Sequence, residues 1–131
     1  MTAYPWTDAF RLPNTAPENA APLPAYWECD LITGALRWSP GVYDLFGLPR
    51  DSMPERDTIA GMYVDDSREM LERLRDAAIA ECGSFTFDAQ IRRADGELRW
   101  MRLTADVITK DGRAVQLYGT KQDITDEVAE R

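Results

Sequence analysis

The chain has 131 residues, a length that suits one domain with a single hydrophobic core. Its 23 acidic residues outnumber its 15 basic residues, and the net charge of −8 argues against direct binding to nucleic acid or to an anionic membrane surface. The sequence contains no histidine, which excludes histidine-ligated haem and removes the commonest general base and metal ligand.

Residues 1–24 are predicted to form an N-terminal arm, because five of the eight prolines of the chain lie there. Trp6 and Phe10 are four residues apart, so they can share one face of a short helix that docks on another surface; a disordered leader is the alternative. The arm lacks the layout of a signal peptide, and no stretch has the roughly 20 apolar residues of a membrane span. A cytoplasmic location is therefore expected.

Two short strands are predicted after the arm. Trp27 and Cys29 alternate with polar residues across 25–31, which is the period of two that a half-buried strand shows. Thr33-Gly34 predicts a turn, and residues 35–39 predict a short partner strand.

A short helix is predicted at Pro40, where the missing N–H of proline costs nothing. Ser39 is its expected N-cap, and Gly47 is its expected end. Tyr43 and Phe46 supply part of its apolar side.

The longest helix is predicted after an irregular segment that spans residues 49–64 and contains Met62. Asp66-Ser67-Arg68-Glu69 has the form of a capping box, in which the side chain of the first residue binds a backbone N–H of the first helical turn. Apolar residues recur at helical spacing over 70–82, and Gly83 is the expected end.

Three further strands are predicted to form an antiparallel meander. Apolar and polar residues alternate over 84–93, and two more strand-like runs lie between Glu97 and Thr125. Asp95-Gly96 and Asp111-Gly112 separate the three strands. Asp-Gly is a strong hairpin signal, because both residues tolerate the positive φ of a tight turn.

A series of spaced motifs runs through both halves of the chain: Trp27, Asp30, Thr33-Gly34, Trp38-Ser39, Phe46-Gly47-Leu48, Ile91 to Gly96, Arg99-Trp100, Gly119 and Gln122 to Thr125. Motifs of this kind occur in the same order in PAS domains, the sensory modules of signalling proteins. Two positions depart from the pattern: Cys29 stands where a second tryptophan is frequent, and Tyr63-Val64 replaces a His-Pro pair. The chain therefore resembles a PAS domain.

The resemblance implies an α+β PAS fold, in which a five-stranded antiparallel sheet carries helices on one face. It covers residues 25–126, which leaves residues 1–24 as the arm. Residues 127–131 are then the start of an output linker helix. The chain is expected to be part of a longer signalling protein, such as a sensor kinase or a cyclic-dinucleotide enzyme.

Three functions are compatible with this resemblance. The first, which we favour, is a non-catalytic module that forms a homodimer and passes a conformational change to an effector domain beyond Arg131. The second is a small-molecule sensor whose ligand lies in the cleft between sheet and helices. The third is a small enzyme, which the absence of histidine and of any nucleophile–base spacing argues against. No catalytic or metal-binding residues are predicted.

The resemblance places the ligand, or simply a core, between the inner sheet face and the helices. The candidate binding residues are Trp27, Cys29, Tyr43, Phe46, Met62, Ile91, Met101, Leu103, Leu117, Gly119 and Lys121. Light-sensing relatives form a flavin adduct through a cysteine before the long helix, and residues 57–70 contain none, so a cysteinyl-flavin adduct is not expected. Non-covalent flavin stays open, and the cofactor is unknown.

Lys121 is the charged member of this set. By the alternation of the last strand its side chain points toward the helices, where a buried unpaired ammonium costs several kcal/mol. It is therefore expected to reach solvent, to pair with a carboxylate such as Asp30 or Glu28, or to bind a carboxylate-bearing ligand. In the last case Gly119 would leave room for the ligand beside Cys29.

Two aromatic residues, Trp100 and Tyr118, alternate to the opposite face of the sheet. An aromatic pair on a solvated face indicates a docking surface. Trp6 and Phe10 of the arm are expected to cover part of this surface in a homodimer.

Asp123 and Thr125 lie at the junction between the last strand and the linker helix. The Thr125 hydroxyl is expected to cap the helix, and Asp123 is expected to pair with a donor across the strand end. Both residues are therefore candidates for relaying a signal to the output domain.

Overall fold

The computed structural model describes residues 22–129, which fold into five strands and four helices. The strands are β1 (Ala25–Asp30), β2 (Leu36–Trp38), β3 (Phe85–Arg92), β4 (Leu98–Lys110) and β5 (Arg113–Asp123). The helices are α1 (Pro40–Phe46), α2 (Arg56–Ala60), α3 (Asp65–Glu81) and α4 (Thr125–Ala129). Trp6 and Phe10 of the predicted arm lie outside the described residues, as do the last two residues of the predicted linker helix.

The five strands form one antiparallel sheet in the order β2-β1-β5-β4-β3. The first strand therefore lies beside the last, with Trp27 opposite Gly119. Asp111 and Gly112 join β4 to β5, and their φ angles of 54° and 78° are the positive pair that a two-residue hairpin turn requires. The α+β class, the five-stranded antiparallel sheet and the predicted hairpin are confirmed.

One face of the sheet is packed against the helices. Met101, Leu103 and Leu117 are at most 2% exposed on this inner face. Phe46 of α1 and Ile59 of α2 belong to the same core. Side chains at the alternating positions of β4 and β5 lie on the outer face and are half-buried or exposed. The alternation of apolar and polar residues therefore predicted correctly which side chains of β4 and β5 lie on each face of the sheet.

Helix α3 is the longest helix and packs mainly on β3. Ala78 is its one fully buried residue, while Leu71 and Ile79 are half-buried against the core. The residue that ends it with a left-handed φ of 52° is Cys82, not Gly83 as predicted. Across residues 22–129 no helix is both long enough and apolar enough to cross a membrane.

Two serine hydroxyls near the starts of α1 and α3 bond to the sheet. The Ser39 hydroxyl accepts a hydrogen bond from the backbone N–H of Tyr26 at 2.8 Å, and the Ser67 hydroxyl accepts one from the N–H of Gln90 at 2.8 Å. Both N–H groups lie where no neighbouring strand can pair with them, because β2 ends early and β3 is an edge strand. The predicted side-chain cap by Ser39 is therefore wrong. The predicted capping box at Asp66 is also wrong, because the N-cap of α3 is Val64, which makes no side-chain hydrogen bond, and α3 begins at Asp65.

Candidate functional site

A small cavity of about 60 Å³ lies between the inner face of the sheet and helices α2 and α3. Five of the candidate binding residues line it, namely Trp27, Cys29, Leu103, Leu117 and Lys121. They come from β1, β4 and β5, where alternation turns every second side chain inward.

The other candidate side chains lie elsewhere in the core. Phe46, Ile91 and Met101 are fully buried, while Tyr43 and Met62 are half-buried. None of these five residues lines the cavity. These residues belong to the surrounding core and do not form the cavity wall.

Gly119 has a different role from the predicted one. A side chain at this position would collide with the backbone carbonyl of Thr104 on β4. That carbonyl also accepts a hydrogen bond from the indole N–H of Trp27 at 3.1 Å. Gly119 therefore allows β4 and β5 to approach each other, and the expectation that it leaves room for a ligand is wrong.

Lys121 is buried, with 6% of its surface exposed. Its amine Nζ donates a hydrogen bond to the hydroxyl of Tyr63 at 3.3 Å and lies 4.8 Å from the centre of the Phe46 ring. The rings of Trp27, Trp38 and Tyr63 surround the same atom at 5.6 to 5.7 Å. These distances are typical of cation–π contacts, so the rings stabilise the charged form of the lysine.

The charge of Lys121 has no carboxylate partner in the part of the chain that the structure describes, where no ion pair within 4.0 Å involves it. Burial is the main influence on this amine, because low-dielectric surroundings disfavour its charged form. Burial lowers the pKa of Lys121 to about 7, and the electrostatic effect of Cys29 acts in the opposite direction. The lysine is therefore only partly protonated at neutral pH.

The two predicted partners of Lys121 bind other groups. Asp30 accepts the backbone N–H of Ile32 at 2.8 Å, and such backbone hydrogen bonds hold the pKa of its carboxyl below the usual range. Glu28 lies 3.1 Å from the guanidinium of Arg37. Both carboxylates occupy positions of β1 that face away from the helices. The alternatives in which Lys121 reaches solvent or pairs with either carboxylate are wrong.

Two arginines in the cavity wall were missed by sequence reasoning. Arg56 of α2 and Arg75 of α3 both line the cavity. Arg56 forms an ion pair with Glu72, whereas Arg75 has no ion-pair partner among residues 22–129. The available signal was spacing, because Arg75 follows Leu71 by four residues and so lies on the apolar stripe of the helix.

Hydrogen bonds connect the junction between β5 and α4 to β4. The carboxylate of Asp123 accepts the backbone N–H of Thr125 at 2.9 Å and lies 3.2 Å from the guanidinium of Arg99. The Thr125 hydroxyl accepts the backbone N–H of Trp100 at 2.9 Å. Asp123 thus pairs with a donor as predicted. The predicted Thr125 cap is wrong, because the Trp100 N–H lies beyond the paired part of β5 and takes the hydroxyl as its acceptor.

Residues 35–121 match the family model described as the PAS fold. The chain belongs to the PAS family. It is also 28% identical over 102 residues to the sensor protein FixL of Bradyrhizobium diazoefficiens, a match that covers 77% of this chain and 20% of FixL. This PAS domain therefore spans about a fifth of the length of that relative.

Solved structures share the fold of this PAS domain. The N-terminal domain of a diguanylate cyclase with a PAS/PAC sensor from Marinobacter aquaeolei has a TM-score of 0.74 at 21% identity, over 81% of this chain and 99% of that chain. A sensory box histidine kinase/response regulator from Burkholderia thailandensis has a TM-score of 0.71 at 18% identity, over 82% and 81% of the two chains. At these identities the likeness establishes the fold alone.

The outer sheet face of this PAS domain carries Trp100 and Tyr118, both half-buried. Beside them, the side-chain amide of Gln122 donates a hydrogen bond to the backbone carbonyl of Pro22 at 2.9 Å. This bond holds the segment before β1 against the end of β5. The chain that leads into β1 therefore passes beside the predicted docking surface.

Proposed function

We propose that this PAS domain is a cytoplasmic, non-catalytic input module of a longer signalling protein, in which it forms a homodimer and relays a change in its core to a C-terminal output domain. The family match and the similarity to the sensor protein FixL support the sensory part of the proposal. The observation that carries the relay is the hydrogen-bonded junction between β4, β5 and α4.

A short path connects the core to this junction. Lys121 lies in the core, and Asp123 follows it by two residues on the same strand. In the proposed relay, a change in the surroundings of Lys121 shifts β5 against β4. Asp123 and Thr125 transmit that shift to the start of α4, because their side chains connect the two strands to the helix.

In the parent protein, Asp123→Ala and Thr125→Ala are expected to weaken the response to the stimulus far more than they lower stability. Each removes hydrogen bonds worth about 1 kcal/mol apiece, yet each also breaks a link between the sheet and α4. Output activity would be measured with and without stimulus, beside thermal unfolding. Asp106→Ala, at an exposed site on β4, is the matched control. An unchanged response in both variants would make the junction a mere linker.

The homodimer is proposed to use the outer face around Trp100 and Tyr118, with the arm covering part of it. Deleting residues 1–21 is expected to weaken dimerisation, because burying the ring of Trp6 or Phe10 is worth roughly 1.5 to 3 kcal/mol each. The deletion leaves Pro22 in place. Sedimentation equilibrium would compare the two chains, and equal dissociation constants would remove the arm from the interface.

Small-molecule binding is a second candidate function, favoured by the cavity beside Lys121. A molecule in that cavity would contact the lysine from which the proposed relay starts. The chemistry of the cavity wall indicates what class of molecule this would be.

A further inference from the structure

The cavity has an unusual balance of charge for this chain. Lys121, Arg56 and Arg75 line it, and no aspartate or glutamate of the described residues does. The chain as a whole carries a net charge of −8, so this wall is positive within an acidic protein. The rest of the wall is mainly apolar, as at Ile59 and Leu103. Such a cavity favours an anion over a cation or a neutral polar molecule.

Only one of the three cations is neutralised by the protein itself. Arg56 pairs with Glu72 and lies 3.6 Å from the carboxylate of Asp57. Arg75 and Lys121 have no ion-pair partner within residues 22–129. Arg75, together with Lys121 in its protonated form, therefore remains available to a ligand that enters the cavity.

Hydrogen-bond donors around Lys121 also exceed acceptors. A protonated amine has three N–H donors, and the one hydrogen bond of Nζ goes to the hydroxyl of Tyr63. Tyr63 is 3% exposed, and its own hydroxyl proton has no acceptor in the described part of the chain. The indole N–H of Trp38, whose ring centre lies 5.6 Å from Nζ, is likewise buried without an acceptor. Aromatic rings stabilise the cation but do not supply the missing oxygen atoms.

We infer that the cavity binds a short-chain organic acid, whose carboxylate accepts hydrogen bonds from both Lys121 and Tyr63 while Arg75 supplies the second positive charge. A cavity of about 60 Å³ is roughly four to six times the 10–15 Å³ that one water molecule needs. The acid therefore has about four to six non-hydrogen atoms, and its apolar end contacts Leu103 and Leu117. Because such an acid would be the stimulus of the sensory module, this inference rests on the proposed function.

Titration of the full chain with propionate, followed by two-dimensional NMR, tests the binding. Propionamide has the same size without the charge and is the control ligand. Propionate is expected to bind at least tenfold more tightly than propionamide and to shift the signals of residues around Lys121. Equal affinity for the two molecules would overturn the inference, and so would a failure of acetate, propionate and butyrate alike to bind.

Two variants locate the site, and a third serves as control. Lys121→Met and Arg75→Gln are each expected to weaken propionate binding at least tenfold, whereas Lys110→Met, at the exposed end of β4, should leave it unchanged. Thermal unfolding would establish that each variant is folded. If Lys121→Met did not fold, Arg75→Gln at its half-buried site and the comparison of ligands would decide. Unchanged affinity in Arg75→Gln would overturn the assigned site.

Binding and signalling can fail separately. Propionate binding to the domain, together with an output that ignores propionate, would retain the site and contradict the sensory role. Loss of the stimulus response in Asp123→Ala, without binding of any short-chain acid, would retain the sensory role and overturn the acid site.

Discussion

Replacing Gly119 with alanine is expected to lower the free energy of unfolding by about 3 kcal/mol, the upper end of the usual cost of overpacking. The new methyl group would collide with the backbone carbonyl of Thr104 rather than with a side chain that could rotate away. The same carbonyl binds the indole N–H of Trp27, so separating β4 from β5 would also disturb that hydrogen bond. Urea denaturation of the two proteins would measure the difference.

Gly83→Ala is the matched control for this substitution. Gly83 has no positive φ, and a methyl group there would meet no atom within 4 Å. Its free energy of unfolding should stay within about 0.5 kcal/mol of wild type, as for most surface substitutions. Similar values for the two alanine variants would show that the sheet accommodates a side chain at Gly119.

Lys121→Met is expected to abolish a rise in stability that wild type shows between pH 7 and pH 9. The pKa of Lys121 is about 7 in the folded protein against 10.5 for the free side chain. Between these values the unfolded chain binds one more proton than the folded chain, so stability increases by about 1.4 kcal/mol per pH unit. The expected gain from pH 7 to pH 9 is about 2 kcal/mol, because the folded lysine is still half protonated at the start.

Below pH 7 the lysine is protonated in both states, and its unfavourable contribution is then complete and constant. Methionine does not titrate, so the difference in free energy of unfolding between wild type and variant isolates this residue from all groups they share. The range stops at pH 9 because tyrosines also contribute to the pH dependence at higher pH. Their pKa is near 10 in the unfolded chain, whereas burial raises the pKa of Tyr26 to about 12 in the folded protein. Urea denaturation at four pH values would measure the slopes.

Lys110→Met is again the matched control, since Lys110 is exposed and should leave the slope of wild type unchanged. Parallel stability curves for wild type and Lys121→Met would contradict the prediction. They would mean that Lys121 keeps its proton up to pH 9, held by the rings of Phe46, Trp27 and Trp38.

The sheet could be predicted from the sequence because its signals are local. Alternation placed Lys121 on the inner face, and Asp111-Gly112 marked the turn between β4 and β5. Both signals depend only on residues that are neighbours in the chain. The spaced motifs of the PAS family then supplied the order of the elements, and the family model confirms that membership.

The partners of three hydroxyl groups could not be predicted in this way. Ser39 and Thr125 lie at the start of a helix and fit the local rule for a cap, and Ser67 is the third residue of α3. Their actual donors are backbone N–H groups of the sheet, 13 to 25 residues away in the sequence. Which N–H groups of a sheet lack a strand partner depends on the whole fold. Each of these hydroxyls accepts a hydrogen bond from such an N–H group and does not cap its own helix.

The chemistry of the cavity was predicted only in part. The buried position of Lys121 followed from alternation, but its ring of aromatic side chains depends on how α1 packs on the sheet. Arg75 could be placed on the apolar stripe of α3 by spacing alone. That this stripe lies over a cavity without carboxylates depends on the packing of the helix, which no local pattern encodes.

The position of β1 beside β5 has a consequence for synthesis of the protein. Before β5 exists, β1 can pair only with the three residues of β2, which are too few for a stable sheet. Trp27 and Cys29 then lack the β5 residues that they pair with in the folded sheet. Since Ala25 pairs with Lys121, nearly all of this domain must leave the ribosome before the loop between the two strands can close. We therefore expect the nascent domain to stay open until its last strand emerges and then to fold in one step.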